Sequence, residues 1–190
     1  SCRGDPRQWL VDGLGIGGAV SDSERFASLV DGSLGVYLVP AFVGLGAPYW
    51  DSDARASVVG ISRGVTREHI VRAAIESLAY QVVDVVNAMR LGSATDPTEI
   101  RVDGGPTRND TLMQFQADAL GLPIVRSTIE ELSGTGAMYM GGLALGVWSG
   151  IEEIKVLRRS DRVFMPTKDG QWREKKIQGW RNAVSMTLVK

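Results

Sequence analysis

At 190 residues, 44% hydrophobic and 23% charged, the chain has the composition of a globular protein of about one domain, long enough to bury a real core. A formal net charge of −1 gives no electrostatic reason to expect nucleic acid or an anionic membrane as partner. No apolar run reaches the length of a membrane span and no signal-peptide core opens the chain, so the default expectation is the cytoplasm. One cysteine, Cys2, and one histidine, His69, exclude a disulfide framework and a Cys/His metal cluster.

The chain opens on polar residues, then gives Gln8-Trp-Leu-Val-Asp-Gly-Leu-Gly-Ile16, which reads as the tail of a helix or strand running into a glycine-rich loop. Ser21-Asp-Ser-Glu24 has the form of a capping segment for a short helix through Phe26, Leu29 and Val30. Gly35-Val-Tyr-Leu-Val-Pro40 is strand-like, and Pro40 places it at an edge or a strand end. The next segment, Ala41-Phe-Val-Gly-Leu-Gly-Ala-Pro-Tyr-Trp-Asp51, is a loop with more apolar surface than loops carry; Phe42, Leu45, Tyr49 and Trp50 either pack on another part of the protein or form a lid over the domain's own core.

After a short strand at Ser57-Val-Val-Gly-Ile61, the stretch from Glu68 to Met89 carries apolar residues at three- and four-residue intervals without glycine or proline, the pattern of an amphipathic helix. Glu76, Gln81 and Asp84 fall among its polar positions and are expected on a solvated face. His69 stands at its start and reads as a surface or capping residue rather than as the partner of a Cys2 nucleophile.

Ile100-Arg-Val-Asp-Gly-Gly-Pro-Thr-Arg-Asn-Asp110 has the form of a buried strand that stops at a glycine pair and opens directly into a helix. Gly104 and Gly105 allow a tight turn and close approach of backbone to a ligand, and Pro106 suits a first helical turn. A helix starting there points free backbone N–H groups above the strand end, where an anion or a nucleotide is a natural occupant. That helix ends at Gly121-Leu-Pro123, and a short strand follows at Ile124-Val-Arg126. Ser133 to Trp148 is apolar and glycine-rich and is expected to be a closely packed helix, whose start at Gly134-Thr-Gly136 could face a phosphate. The charged C-terminal stretch turns at Lys168-Asp-Gly170 into a last amphipathic helix with Trp172, Ile177, Trp180, Ala183 and Val184, its charges on a solvated face. Strand, helix, strand, helix from Ile100 to Trp148 is the order of a parallel α/β layer, although two adjacent strands are few for such a sheet.

Several blocks in order resemble the C-terminal part of the FGGY family of carbohydrate kinases. They are Gln8-Trp-Leu10 with Asp12-Gly-Leu-Gly15; Val39-Pro-Ala-Phe-Val-Gly-Leu-Gly-Ala-Pro-Tyr-Trp-Asp51 with Ala54-Arg55; Gly60-Ile61, His69-Ile70 and Ala73-Ala-Ile-Glu76; Val102-Asp-Gly-Gly105 with Asn109 and Leu112-Met-Gln-Phe-Gln-Ala-Asp118; and Trp180 with Ala183-Val184. The resemblance implies an α/β fold, an actin-like ATPase of RNase H-like type, with residues 1–155 as the nucleotide-binding C-terminal domain lacking its first strands and 156–190 as an extension packed on it. It implies ATP and Mg2+ as cofactors, with Gly4, Gln8, Gly104, Gly105 and Asn109 in contact with ATP or ADP and Asp103 in the outer shell of the metal ion. The form of the 39–51 loop points to the members that phosphorylate glycerol, which would be held by an N-terminal domain together with the general base, so that no catalytic residue is expected here and the chain alone is expected to be inactive. This chain departs from the family at Gly134-Thr-Gly136, where Ala-Leu-Gly is usual, and at Gly4-Asp-Pro-Arg7, where a glycine- and alanine-rich run is usual. Two other readings stay open: a non-catalytic module whose Phe42 to Trp50 loop is an oligomer or regulatory surface, and part of a kinase for another polyol or sugar. An uncovered sheet edge would favour pairing with another copy.

Overall fold

The computed structural model describes residues 5–93, 96–127, 137–140, 143–148 and 162–189, with 137–140 and 143–148 described through their backbone. In chain order the elements are α1 (Pro6–Leu14), α2 (Ser23–Ser28), β1 (Tyr37–Val39), β2 (Ser57–Val59), α3 (Arg67–Gly92), β3 (Glu99–Asp103), α4 (Asp110–Leu120), β4 (Ile124–Arg126), β5 (Ala137–Met140), β6 (Leu143–Trp148), β7 (Arg162–Phe164) and α5 (Gly170–Thr187). Short 3-10 turns stand at Val20–Asp22 and Gly105–Arg108.

The main sheet has five strands in the order β5-β6-β3-β4-β7. β3 and β4 run parallel, with Ile100 opposite Ile124, and the remaining neighbours are antiparallel. Ile100, Val102 and Ile124 are fully buried, as are Leu112 and Met113 of α4. β1 and β2 form a separate antiparallel pair.

α3, 26 residues long, is the axis of the helical layer. At its start, His69 Nδ1 lies 3.0 Å from both the backbone N and the Oγ1 of Thr66, so His69 closes the first turn as a capping residue. Halfway along, Tyr80 stacks on Trp180 of α5 at 5.0 Å between ring centroids, meets Phe115 of α4 edge-on at 5.4 Å, and lies 5.7 Å from Tyr37 of β1. Such pairs add about 0.5–1.5 kcal/mol each beyond their buried area. α4 ends on Gly121 at φ 68, where Arg173 of α5 packs and donates its Nε–H to the Asp118 carbonyl at 2.8 Å.

Three sequence expectations are corrected. The stretch 133–148 was expected to be a helix, yet Ala137–Met140 and Leu143–Trp148 are strands. Five glycines between 133 and 148 make a helix expensive, at about 1 kcal/mol each, and Gly141-Gly142 is a dipeptide favoured in two-residue hairpin connections. β6 takes the edge of β3 that β4 leaves open, so that edge is not uncovered. The segment from Gln8, read as the tail of a helix or a strand, is the helix of those two, α1, begun by the Asp5 side chain on the Arg7 N–H and ended by Gly15 at φ 64. Finally, Glu76 and Asp84 of α3 are not on a solvated face: Glu76 is 1% exposed, and Asp84 is half-buried, bonded to two aromatic side chains.

Asp84 also settles how the aromatic loop is held. Its Oδ2 accepts from the Tyr49 hydroxyl at 2.9 Å and from the Trp180 indole N–H at 2.8 Å. Asp51 closes the loop, its Oδ1 accepting from the backbone of Asp53 and Ala54 and its Oδ2 from the Val189 N–H at 2.9 Å. Phe42 packs on Trp9 at 5.2 Å, and Leu45 and Tyr49 lie against the core, while Val43 and Trp50 remain 82% and 75% exposed. The loop is therefore a lid on its own domain over one half of its apolar surface.

Burial raises the pKa of the Asp84 carboxyl, against the opposing hydrogen bonds from Trp180 and Tyr49. The folded chain thus binds this proton more tightly than the unfolded chain, and the associated stability, full below the unfolded-state pKa, is lost as pH rises through the folded-state value. Asp84→Asn keeps an acceptor for both donors and removes that slope, so its melting temperature at neutral pH is expected to equal or exceed that of the parent. Asp84→Ala strands both donors and is expected to cost about 2–4 kcal/mol. Thermal denaturation of the two variants between acid and neutral pH checks both; equal losses would show that the carboxylate charge itself is needed.

Candidate functional site

The candidate site is built on the exit from β3. Asp103 Oδ1 accepts the Gly104 N–H at 2.6 Å, and Gly104 then takes φ 105, ψ 170, a region essentially confined to glycine. The chain does not open directly into a helix, as the strand-turn-helix pattern suggested. It makes the 3-10 turn first, tied by the Thr107 hydroxyl to the Gly104 carbonyl at 2.6 Å, and α4 starts only at Asp110.

Neighbouring strands pin this turn. Arg126 at the end of β4 donates to the Thr107 carbonyl and to Asp110 Oδ1, both at 2.8 Å, and Arg162 of β7 donates to Asp110 Oδ2 at 2.6 Å. Burial acts to raise the Asp110 pKa, but the hydrogen bonds from Arg126 and Arg162 outweigh it and hold the carboxyl below its usual range. Asp110 is therefore ionised at neutral pH and the turn is charge-locked to the sheet.

Asn109 is the N-cap of α4. Its Oδ1 accepts the Leu112 N–H at 3.0 Å, which fixes the amide and turns Nδ2 the other way. The residue is 6% exposed, and Nδ2 has no hydrogen-bond partner. A buried amide donor left unmade costs about 1–3 kcal/mol, so this one is poised for an acceptor that the chain does not supply. Beside it, a Cβ on Gly105 would meet nothing within 4 Å.

Two of the N–H groups at the helix N-terminus are already engaged. The Asp110 N–H donates to Glu24 Oε1 of α2 at 2.9 Å, and the Leu112 N–H is taken by Asn109. A carboxylate already placed at the positive end of the helix opposes a second anion there. What the turn presents is a polar, uncharged donor beside open space.

Of the residues expected to bind nucleotide, Gly104, Gly105 and Asn109 therefore share one turn with Asp103. Gln8 is exposed on α1, a helix packed against α3, and its amide donates to Asp12 of the same helix. Gly4 and Gly134-Thr-Gly136 lie outside the described residues, as does Cys2. Sequence reasoning missed Glu24 and Arg126. Glu24 acts across 86 positions, and Arg126 offered no signal beyond a charge at the end of an apolar strand. No group of three His, Cys, Asp or Glu able to hold a metal ion exists among the described residues, and no described helix is long and apolar enough to cross a membrane.

Residues 2–145 match the C-terminal domain of the FGGY family of carbohydrate kinases. The chain belongs to this family. It is 54% identical over 181 residues to a glycerol kinase from Pseudothermotoga lettingae and 49% identical over 178 residues to one from Shewanella frigidimarina, covering 95% and 94% of this chain. In each case it spans 36% of the relative's length. Among solved structures it superposes on Plasmodium falciparum glycerol kinase with ADP at a TM-score of 0.76 and 32% identity, over 96% of this chain and 36% of that one. Gluconate kinase from Lactobacillus acidophilus shares the fold at a TM-score of 0.70 and 20% identity, over 95% and 37% of the two chains.

The two glycines of the turn are expected to answer differently to alanine. Gly104→Ala forces a side chain into a backbone region that L residues avoid and is expected to cost about 1–3 kcal/mol. Gly105→Ala enters open space and is expected to leave the melting temperature unchanged. Thermal denaturation of the pair checks this; an equal loss in Gly105→Ala would show that the space beside the turn is filled.

Proposed function

We propose that this chain is the nucleotide-binding part of an enzyme that transfers the γ-phosphoryl group of MgATP to glycerol, giving glycerol 3-phosphate. The carrying observation is the buried, unpartnered Nδ2 of Asn109 beside the open space over Gly105. The relatives near 50% identity, all glycerol kinases by name, support the choice of glycerol over another polyol or sugar.

In this reading the turn receives the uncharged end of the nucleotide. Asn109 Nδ2 donates to a base or ribose acceptor, Gly105 lets the flat base approach the backbone, and Glu24 at the α4 terminus keeps the polyphosphate elsewhere. Gly4 and Gln8 are assigned to the same pocket. Mg2+ arrives with the phosphates and its own waters, as it does where no dedicated cage exists, and Asp103 is assigned to its outer shell with one oxygen already held by Gly104. Phosphoryl transfer depends on positioning and charge stabilisation around the γ-phosphate, and the turn supplies neither. Glycerol and the general base therefore belong to the N-terminal part of the enzyme.

Calorimetric titration with MgADP tests the assignment. The parent chain is expected to bind saturably, and Asn109→Ser, which retains a good N-cap but loses the donor, is expected to keep its melting temperature and bind at least about tenfold more weakly, the worth of one hydrogen bond. Undiminished binding by a folded Asn109→Ser would remove Asn109 from the site. The chain alone is expected to show no glycerol-dependent ATP turnover in a coupled assay; turnover in a preparation free of other kinases would show that the catalytic groups lie within it.

A further inference from the structure

Arg108 ends the turn that leads into Asn109, and the chain gives it no occupation. The turn Gly105–Arg108 is a 3-10 helix, with the Thr107 N–H donating to the Gly104 carbonyl at 3.1 Å and the Asn109 N–H to the Pro106 carbonyl at 3.2 Å. At three residues per turn, positions three apart stand one above the other. Gly105 and Arg108 therefore share a face, while Thr107, 3% exposed, is turned into the protein. Both residues of that face are exposed, and a Cβ on Gly105 would meet nothing there within 4 Å.

Among the described residues no hydrogen bond, ion pair or ring contact engages the Arg108 guanidinium. The acids around the turn are answered by other groups: Asp110 by Arg126 and Arg162, Glu24 Oε1 by the Asp110 N–H, and Asp103 Oδ1 by the Gly104 N–H. Elsewhere arginines lie over rings that the chain itself supplies, Arg25 and Arg67 over Phe26 at 5.0 and 5.3 Å and Arg162 over Phe164 at 4.6 Å. Arg108 has no such ring.

An exposed arginine alone is ordinary surface. This one is next to Asn109, which is 6% exposed and has a donor, Nδ2, that no protein atom accepts. A ligand that answers Nδ2 beside Gly105 brings an acceptor on its edge, and a flat ring is the shape that a glycine backbone admits closely. Such a ring keeps one face open unless a long side chain covers it. Three residues of 3-10 helix rise about 6 Å, within the reach of an arginine, whose guanidinium is planar, weakly hydrated and stacks on ring faces.

Taking the turn as the nucleotide site proposed above, we infer that Arg108 is a further nucleotide-binding residue, its guanidinium stacked on the base that Asn109 holds by the edge and Gly105 admits to the backbone. A phosphate is the other common partner of an arginine, but the Glu24 carboxylate at the start of α4 opposes one here. The contact is to the ring, so a nucleoside without phosphates feels it in full.

Calorimetric titration of the whole chain with adenosine and with MgADP, each in low and in high salt, is the test. Arg108→Ala is expected to keep the parent's melting temperature and to weaken both ligands alike, by about three- to tenfold, with little dependence on salt. Arg108→Phe, a flat face without charge, is expected to bind adenosine nearly as the parent does, and Arg108→Lys, a charge without the plane, to recover less. In the parent, adenosine is expected to move the Arg108 side-chain resonances upfield through the ring current of the base. Unchanged binding of both ligands by Arg108→Ala would overturn the inference, and a loss in Asn109→Ser in the same experiment would show that the nucleotide reading survives it. A loss confined to MgADP, erased by high salt and restored by Arg108→Lys, would overturn the inference by assigning Arg108 to a phosphate. No saturable binding of either ligand by the folded chain would overturn the nucleotide reading and the role of Arg108 together.

Discussion

The ring of Tyr80 is the contact on which the helical layer depends. It is 1% exposed and touches aromatic side chains from α4, α5 and β1 at once, so the mutual placement of those elements runs through one residue of α3. Burial drives the pKa of its hydroxyl far above the ordinary tyrosine value, with the Glu76 carboxyl and the Tyr37 hydroxyl adding to the shift. Packing, not polarity, is what this residue contributes. Because α4 is positioned by that packing on one side and by buried Leu112 and Met113 on the other, its first residue is placed where Asn109 can cap it and still leave Nδ2 unspent.

Charge placement then decides what the turn can recognise. A helix N-terminus attracts anions through its partial positive charge and its unpaired N–H groups, and here the chain itself answers the charge and two of the N–H groups. Glu24 brings a carboxylate from α2, Asn109 brings an amide oxygen, and Asp110 is neutralised by Arg126 and Arg162 from the two strands alongside. The charged end of a nucleotide gains little from such a terminus. A neutral acceptor that reaches Asn109 Nδ2 gains a hydrogen bond that water cannot easily replace at a buried position.

Local signals carried far in the sequence. The period of Glu68 to Met89, the Gly121-Leu-Pro123 stop and the glycine pair after Val102 all mark elements that the structure contains, because caps, stops and amphipathic periods are encoded by residues a few positions apart. The errors fall where a distant partner decides. Residues 133–148 are apolar on every side and satisfy both a helical and a two-residue period; what makes Leu143–Trp148 a strand is the open edge of β3, more than forty positions earlier in the chain. Glu24 looks like a helix-capping residue for its own segment, and does cap a helix, but α4 rather than α2. The family resemblance makes Asn109 an expected ligand contact, whereas the lack of any protein partner for its Nδ2 is visible only in three dimensions.

The buried acids of α3 show why a polar residue in a helical period is a weak guide to solvent. Glu76 and Asp84 are eight positions apart, about two helical turns, so they share a face, and that face is buried beneath α5 and the aromatic loop. Burial raises both carboxyl pKa values, which means that each ionised form is disfavoured by its surroundings and must be answered locally. Asp84 is answered by two neutral donors, Tyr49 and Trp180, and thereby joins the lid loop to α5. Glu76 is answered by Lys176 nearby and Arg72 in contact at Oε1, with the Ser33 hydroxyl beside it. One helix therefore carries two solutions for a buried acid, neutral donors that join separate elements at Asp84 and cations with a nearby hydroxyl at Glu76.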